Sequence, residues 1–153
     1  MKRISFLVAC TLILSVTANS QAAKSIYAEL GGPGFASLNF DTRFTKSESG
    51  IGGRIGIGGF NVDGESVLMI PIGINYLLGK DEKNYFEIGG GATIVSTKLM
   101  DDEPYTGSFG HLNIGYRLQP KKGGFTFRAA ITPIFGSGYF WPYWGGVSFG
   151  YKF

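Results

Sequence analysis

Alternation of apolar residues with small or polar ones, at a period of two, constrains this chain more than any other feature. The alternation is clearest over residues 143–153, where glycine, serine and lysine fill the even positions from 146 onward. The apolar side chains on the odd positions are Tyr143, Val147, Phe149, Tyr151 and Phe153. A period of two is typical of a β-strand with one apolar face. The pattern therefore predicts a strand whose apolar face is rich in aromatic residues.

Seven further segments alternate in the same way, so the chain contains eight candidate strands. They span residues 25–31, 35–45, 50–60, 67–78, 85–98, 106–118, 125–136 and 143–153. Most have about the 9–11 residues that a tilted strand needs to cross an outer membrane. The 25 glycines disfavour helices, and no segment after Ala23 has apolar residues at helical spacing. We predict one all-β domain, residues 23–153, folded as an eight-stranded antiparallel transmembrane barrel with an up-and-down meander.

The N-terminal segment is typical of a secretory signal peptide. Lys2 and Arg3 form a basic region, residues 4–16 are mostly apolar, and small residues precede a cleavage point after Ala22. The apolar run is too short to span a membrane. We therefore expect residues 1–22 to be cleaved after Sec-type export. Cys10 is the only cysteine, so we expect no disulfide in the exported domain.

Charge and composition argue against several classes of function. The chain has a formal net charge of +3, but Lys2 and Arg3 account for two of its 14 basic residues, which leaves 12 against 11 acidic ones. The sequence has no basic stripe and no motif for nucleic-acid binding. No metal-ligand spacing is present either. We therefore expect no nucleic-acid partner, no metal and no cofactor.

The composition of the two strand faces indicates which one points outward. One face carries most of the glycines and a few large polar groups, whereas the other carries Phe, Tyr, Ile and Leu. A membrane barrel places the apolar face outside, and small inner residues let eight strands close around bulky ones. Seven aromatic residues near strand ends are expected to form a girdle at one interface: Phe44, Tyr76, Phe86, Tyr116, Phe125, Tyr151 and Phe153.

The connections between strands alternate in character. Residues 46–49, 79–84 and 119–124 are short, charged and turn-like, and we expect them in the periplasm. Residues 31–34, 61–66, 99–105 and 137–142 would face outside. Two of the outer connections are acidic, with Asp63 and Glu65 in one and Asp101, Asp102 and Glu103 in the other. They are expected to be solvated surface, or alternatively to bind divalent cations that bridge lipopolysaccharide.

With these features placed, residues 24–153 resemble small eight-stranded outer-membrane proteins of the OmpA/OmpX-like barrel class. The hairpin that begins at Asn75-Tyr76-Leu77-Leu78-Gly79-Lys80 and continues through residues 85–91 resembles one that recurs in such barrels. The resemblance implies location in the outer membrane of a Gram-negative bacterium, in contact with lipid and lipopolysaccharide. It also implies that the barrel-assembly machinery reads the last strand through Val147, Phe149, Tyr151 and Phe153. It implies no activity.

Along each strand, the odd or the even positions face the lumen, and we call this the inward parity of a residue. Charged residues with inward parity form a predicted lumen charge network. The turns predict four cross-strand pairs: Glu87 with Arg117, Arg117 with Arg128, Arg128 with Lys152, and Asp41 with Arg54. Charges in a narrow lumen must be paired or hydrated. We interpret the network as a salt-bridge plug that fixes strand register. The alternative is an anion site, because three cations would face one carboxylate.

A second cluster lies at the last outer connection and consists of Tyr139, Phe140, Trp141, Tyr143 and Trp144. Aromatic rings anchor barrels at membrane interfaces, which is the simplest interpretation. The alternative is a platform that stacks sugar rings or binds a partner through rigid aromatic side chains.

No catalytic residue is predicted. The only histidine, His111, has inward parity. The lipid A deacylase family has a membrane-facing histidine with serine two residues later, whereas this chain has Asn113 there.

We expect a structural or interaction role with a side-chain-filled lumen, and not a general diffusion pore. The alternatives are an outer-leaflet lipid-modifying enzyme and a soluble secreted barrel that binds a ligand. Pro71 and Pro133 lie inside strands and are expected at bulges.

Overall fold

The computed structural model describes residues 22–62, 65–98 and 105–153. All but the last residue of the predicted signal peptide lies outside this part of the chain. The strands are β1 Lys24–Gly31, β2 Ala36–Arg43, β3 Gly50–Val62, β4 Glu65–Leu78, β5 Asn84–Lys98, β6 Tyr105–Leu118, β7 Gly124–Ile131, β8 Ile134–Gly136, β9 Tyr139–Trp141 and β10 Gly145–Lys152. Within these residues, none of the helices has the length and apolar character required to span a bilayer.

The strands form one closed antiparallel barrel with sequential neighbours. Each of β1 to β6 pairs with the next, β6 pairs with both β7 and β8, β7 pairs with β10, and β10 pairs with β1 to close the ring. Strands β7 and β8 together make one wall strand, so the barrel has eight, and β9 extends β8 as a hairpin. The predicted eight-stranded antiparallel meander is confirmed.

The predicted bulge at Pro133 is confirmed. Thr132 donates its backbone N–H to the carbonyl oxygen of Trp144 at 2.8 Å, whereas Ile134 pairs with Trp141. Only Pro133 lies between Thr132 and Ile134, whereas two residues, Pro142 and Tyr143, lie between Trp141 and Trp144 on the opposite strand. The opposite strand therefore has one extra residue at this point. Pro133 still accepts a backbone hydrogen bond from Leu112, so the ladder to β6 continues past it.

The predicted bulge at Pro71 is wrong. Pro71 faces Thr93 in an uninterrupted ladder between β4 and β5. On the other side, the ladder between β3 and β4 stops at the pair Ile55–Ile72 and resumes at Gly58–Met69 in the same register. The missing proline N–H is accommodated by a local gap in the ladder. No extra residue is needed.

The two faces of the barrel wall differ as predicted, with the apolar face outward. On β2, for example, Leu38 is 55% exposed while its neighbour Asn39 is 2% exposed. Long apolar side chains line the exterior of every wall strand, whereas arginine, glutamate, aspartate and asparagine side chains are buried inside. An ideal Cβ on Gly52 or Gly56 would overlap the side chain of Arg43 or Asn39. Inner glycines therefore make room for the large polar groups.

The barrel has two distinct ends. The turn end holds the connections 44–49, 79–83 and 119–123, with the start of β1 and the end of β10 beside them. The loop end holds a 3-10 helix, Gly32–Gly34, and the β8–β9 hairpin. The predicted strand bounds match the observed ones within about two residues. The exceptions are the break at Pro133 and the hairpin strand β9, which lies where an outer loop was predicted.

Candidate functional site

Three carboxylates and four guanidinium groups meet inside the barrel. Asp41 on β2 accepts hydrogen bonds from Arg43 Nη2 at 2.7 Å and from Arg117 Nη2 at 2.9 Å. Glu87 on β5 accepts two bonds from Arg128, one of them from Nε at 3.0 Å, and lies 3.6 Å from Arg117 Nη1. Arg117 therefore bridges the two carboxylates and ties β2, β5, β6 and β7 together.

A second branch lies beside this cluster. Arg54 Nη2 donates to Glu29 at 2.8 Å and to Asn39 Oδ1 at 3.3 Å. Glu29 also accepts a bond from Ser148 Oγ at 3.2 Å. The ring of Tyr27 contacts both branches, with its centroid 4.6 Å from the Arg128 guanidinium carbon and 5.9 Å from that of Arg54. The aromatic ring thus contacts one arginine from each branch, a favourable cation–π arrangement.

Buried side-chain amides also form hydrogen bonds to the central carboxylates. Asn75 donates to Asp41 Oδ2 at 2.6 Å and accepts a bond from Arg43 through its own oxygen. Asn113 donates to Glu87 Oε1 at 3.2 Å and accepts from Thr132 at 3.0 Å. Buried charges are tolerated only where neighbouring groups hydrogen-bond to them. The amides therefore provide part of the hydrogen bonding that these buried carboxylates require.

Two of the four predicted cross-strand pairs are wrong in register. Glu87 lies opposite Gly115, because Tyr85 takes the position opposite Arg117. Arg117 lies opposite Arg128, as predicted. A shift of two residues leaves every side chain on its predicted face, since the side-chain period is also two. Glu87 therefore still points inward and lies within ion-pair distance of Arg117.

Lys152 belongs to a different site from the one predicted. It lies opposite Gly124, and Ser148 takes the place opposite Arg128. The reason is that the β8–β9 hairpin turns between Gly136 and Tyr139, which pair with each other, whereas the predicted connection spanned residues 137–142. The bulge changes the register by one residue only. The predicted Asp41–Arg54 pair has the correct register, but Arg54 is ion-paired with Glu29 and Asp41 with two other arginines.

Lys152 closes the turn end of the barrel. Its Nζ lies 2.5 Å from a carboxylate oxygen of Glu48 and donates to the carbonyl oxygens of Pro120 at 3.1 Å and Lys121 at 2.6 Å. Gln119 also bonds to Glu48, at 3.3 Å. Lys152 is buried although it is the last residue of β10. The ammonium group thus holds two turns against the end of the lumen.

The loop end is closed by backbone. Gly31 and Gly32 adopt φ angles of 77° and 64°, which favour glycine, and fold the following segment inward. The 3-10 helix is buried; Thr93 Oγ1 donates to the Pro33 carbonyl at 3.1 Å, and Trp144 Nε1 donates to the Gly32 carbonyl at 2.6 Å. The sequence predicted only a short outer loop here.

Sequence reasoning missed three residues of the lumen cluster, Tyr27, Glu29 and Arg43. The first strand was too short for its alternation to be decisive, although Ser25, Tyr27 and Glu29 share inward parity. Arg43 shares inward parity with Asp41 on the second strand, which was available as a signal. All three are at least 95% buried.

The aromatic cluster at the loop end divides into an exposed and a packed part. Tyr143 is 91% exposed and Phe140 is 65% exposed. Trp144 is half-buried and contacts Phe35 at 4.8 Å and Trp141 at 5.3 Å between ring centroids. Tyr139 is 49% exposed and packs over Gly136. Trp144 thus packs against the 3-10 segment, whereas Phe140 and Tyr143 are mostly exposed.

The remaining candidate residues lie in three settings. Val147, Phe149, Tyr151 and Phe153 all project outward from the barrel. His111 is 2% exposed and its Nδ1 lies 3.4 Å from Thr93 Oγ1, on the lumen side. Asp63 and residues 101–103 lie outside the described part of the chain, as does the side chain of Glu65. Within the described ranges, no group of three or more His, Cys, Asp or Glu residues could hold a metal ion.

The closed eight-stranded wall, with its polar interior and apolar exterior, defines the fold of an outer-membrane β-barrel of the OmpA/OmpX-like class. The structure is similar to the N-terminal β-barrel domain of OprF from Pseudomonas aeruginosa, with a TM-score of 0.62 and 8% identity over 90% of this chain and 100% of that domain. It is also similar to the outer membrane protein Ail of Yersinia pestis in a phospholipid nanodisc, with a TM-score of 0.56 and 14% identity over 87% of this chain and 100% of that one. No protein-family model matches the sequence, and a search of curated proteins found no match.

Proposed function

We propose that this protein is a non-catalytic barrel of the Gram-negative outer membrane with a structural or interaction role at the cell envelope. The observation that carries the proposal is the inversion of the wall, with ionic side chains inside and residues such as Leu38, Ile55 and Phe149 outside. Such an exterior is suited to hydrocarbon and not to water. The lumen position of His111 argues against a lipid-modifying enzyme, because that histidine does not reach the membrane-facing surface.

Export and assembly follow from this location. Residues 1–22 would direct Sec-type export, and the barrel-assembly machinery would read the outward apolar row at the C-terminal end of the chain, formed by Val147, Phe149, Tyr151 and Phe153. The turn end would then face the periplasm and the loop end the outside. Outward aromatic residues near both ends would contact lipid headgroups and lipopolysaccharide, since aromatic rings favour such interfaces.

The lumen charge network would fix strand register and block the channel. Three layers support this role: the buried 3-10 helix at the loop end, the arginine–carboxylate cluster in the middle, and the Glu48–Lys152 pair at the turn end. An eight-stranded barrel is just wide enough for its own side chains. The protein would therefore not act as a general diffusion pore.

Membrane extraction and conductance test the proposal. We expect the protein in the outer-membrane fraction, soluble only in detergent, with a mobility on a gel that changes after boiling. In planar bilayers we expect no steady open channel of the kind a diffusion pore gives. Recovery of a monomer from the periplasm without detergent would contradict the membrane location, and would favour a soluble ligand-binding barrel instead. A steady large conductance would contradict the blocked lumen.

A surface-binding role is favoured by the exposure of Phe140 and Tyr143 beside the packed Trp144. We propose that these two rings form part of a platform for lipopolysaccharide or another sugar-bearing surface. The test is titration of the detergent-solubilised barrel with purified lipopolysaccharide. Replacing both Phe140 and Tyr143 with Ser should weaken binding without altering heat-modifiability, while the control Phe125→Ser, at the turn end, should bind as the parent does. Equal binding by all three proteins would reject the platform.

A further inference from the structure

The buried charges of the lumen do not balance. In residues 22–62, 65–98 and 105–153, the central cluster contains four guanidinium groups and three carboxylates. The guanidinium groups belong to Arg43, Arg54, Arg117 and Arg128, and the carboxylates to Glu29, Asp41 and Glu87. Each of the seven residues is at least 95% buried. The pair Glu48–Lys152 is neutral by itself, so the described side chains of the centre carry one positive charge in excess.

The excess positive charge cannot be removed by loss of a proton. A buried lysine or histidine can lose its proton, but an arginine stays protonated in proteins. Leaving a charge without a counter-charge in a medium of low dielectric constant is strongly unfavourable. An anion from outside the chain would supply the missing counter-charge.

Hydrogen-bond donors are available to receive such an anion. Within the described chain, Arg54 Nε and Nη1, Arg128 Nη1 and the Tyr27 hydroxyl are buried and have no hydrogen-bond partner. Arg54 and Arg128 both contact the ring of Tyr27, so these donors belong to one cluster of touching residues. Guanidinium N–H groups and a phenolic O–H are good donors to a small anion.

We propose that the barrel binds one small monovalent anion of the halide class beside Tyr27, between Arg54 and Arg128. A monovalent ion matches the single excess charge, and an atom-sized one suits a lumen crowded with side chains. Because the 3-10 segment and the Glu48–Lys152 pair close the two ends, the ion enters while the barrel folds and then exchanges slowly.

Bromide is the probe, because it can be counted by X-ray fluorescence and located by anomalous scattering. The unfolded full exported domain is refolded into detergent in sodium bromide and then desalted into sodium gluconate. We expect about one retained bromide per folded barrel, since one guanidinium is in excess. An anomalous peak beside Tyr27 would give its position. Folded wild-type barrels without retained bromide would overturn the proposal and leave water as the group that satisfies these donors.

Two variants neutralise the lumen by opposite routes. Arg43→Gln removes a cation, and Thr126→Glu adds a carboxylate on the inner face two residues from Arg128. Both should reduce retained bromide to background while the gel mobility shift still reports a folded barrel. Lys121→Gln is the matched control, because it removes one positive charge from an exposed turn, and it should retain bromide like the wild type.

The two variants also test whether bromide binds in the lumen. Retention unchanged in both Arg43→Gln and Thr126→Glu would show that bromide binds elsewhere, and would overturn the proposal. If one variant does not fold, the other provides the comparison, and the wild-type count and anomalous peak remain a direct test. None of these results depends on whether the protein binds lipopolysaccharide.

Discussion

Two ion pairs of similar chemistry lie in opposite environments. Inside the barrel, Arg54 lies 2.8 Å from Glu29, and the exposed fractions of the two side chains are 3% and 6%. On the turns, Lys121 lies 2.6 Å from Glu82, and the corresponding fractions are 58% and 56%. Judged by distance alone, the second pair would be the stronger interaction. An exposed pair is screened by water and salt, whereas removing one partner of a buried pair leaves an uncompensated charge.

The lumen pairs also differ from the turn pair in connectivity. Glu82 and Lys121 mainly contact each other, whereas Glu87 serves two arginines and an asparagine at once. Loss of one lumen carboxylate therefore disturbs several strands. Loss of the turn pair disturbs only two connections. This difference can be measured by matched substitutions.

The largest effect is expected for Glu87→Gln. The substitution leaves Arg128 and Arg117 without their shared carboxylate, and it should lower the free energy of unfolding by about 3–5 kcal/mol, the range for a broken buried pair. The measurement is urea unfolding in lipid vesicles. The matched control is Glu82→Gln, for which we expect no measurable change. A loss of similar size in both variants would show that burial does not govern these pairs.

The outer face should show a dependence on depth. Val147 lies midway along the outward row between Tyr143 and Tyr151, and Val147→Arg should cost about 2–4 kcal/mol if the hydrocarbon midplane is at that level. Tyr151→Arg, near the turn end, should cost only about 0–1 kcal/mol. Both are measured as free energies of unfolding in vesicles. Equal costs at the two positions would contradict a membrane-spanning exterior.

A smaller effect is expected at the turn end for Lys152→Met. The change removes the donor to two backbone carbonyls and to Glu48, and should lower the free energy of unfolding by about 1–3 kcal/mol, as for buried polar groups left unsatisfied. Brief openings in planar-bilayer recordings should become more frequent. Lys122→Met, on the neighbouring exposed position, is the control. No change in either measurement would mean that Lys152 does not close the lumen.

The smallest effect concerns pH and the turn 79–83. Hydrogen bonds from the Asn84 side chain, the Asn84 N–H and the Lys83 N–H lower the pKa of Asp81 below its usual value. Its stabilisation is therefore fully present above the unfolded-state pKa, and is lost as pH falls through the lower folded-state pKa. The acid-induced fall in unfolding free energy should be slightly shallower for Asp81→Asn. An identical pH profile would show that this turn does not contribute.

The sequence predicted most of the fold because parity is a local property. Alternation assigned Leu38 and Phe149 outward and Asp41 and Arg128 inward, and strand ends fell near glycine, proline and charged turns. It predicted partners less well. The Glu87 and Lys152 pairings failed because turn geometry and the bulge near Pro133 shift register by whole residues, and no single strand encodes that shift.

By itself, the amino-acid order determined the period-two pattern, and with it a β-barrel that has an apolar exterior and ionic groups within. Only the closed tertiary structure decided which carboxylate meets which arginine, that Gly32–Gly34 folds into the loop end, and that Lys152 caps the turn end. The physical reason is the separation along the sequence of the residues that interact. Side-chain direction follows from neighbouring residues along one strand, whereas an ion pair across the lumen depends on the register of several strands and on the closure of the ring.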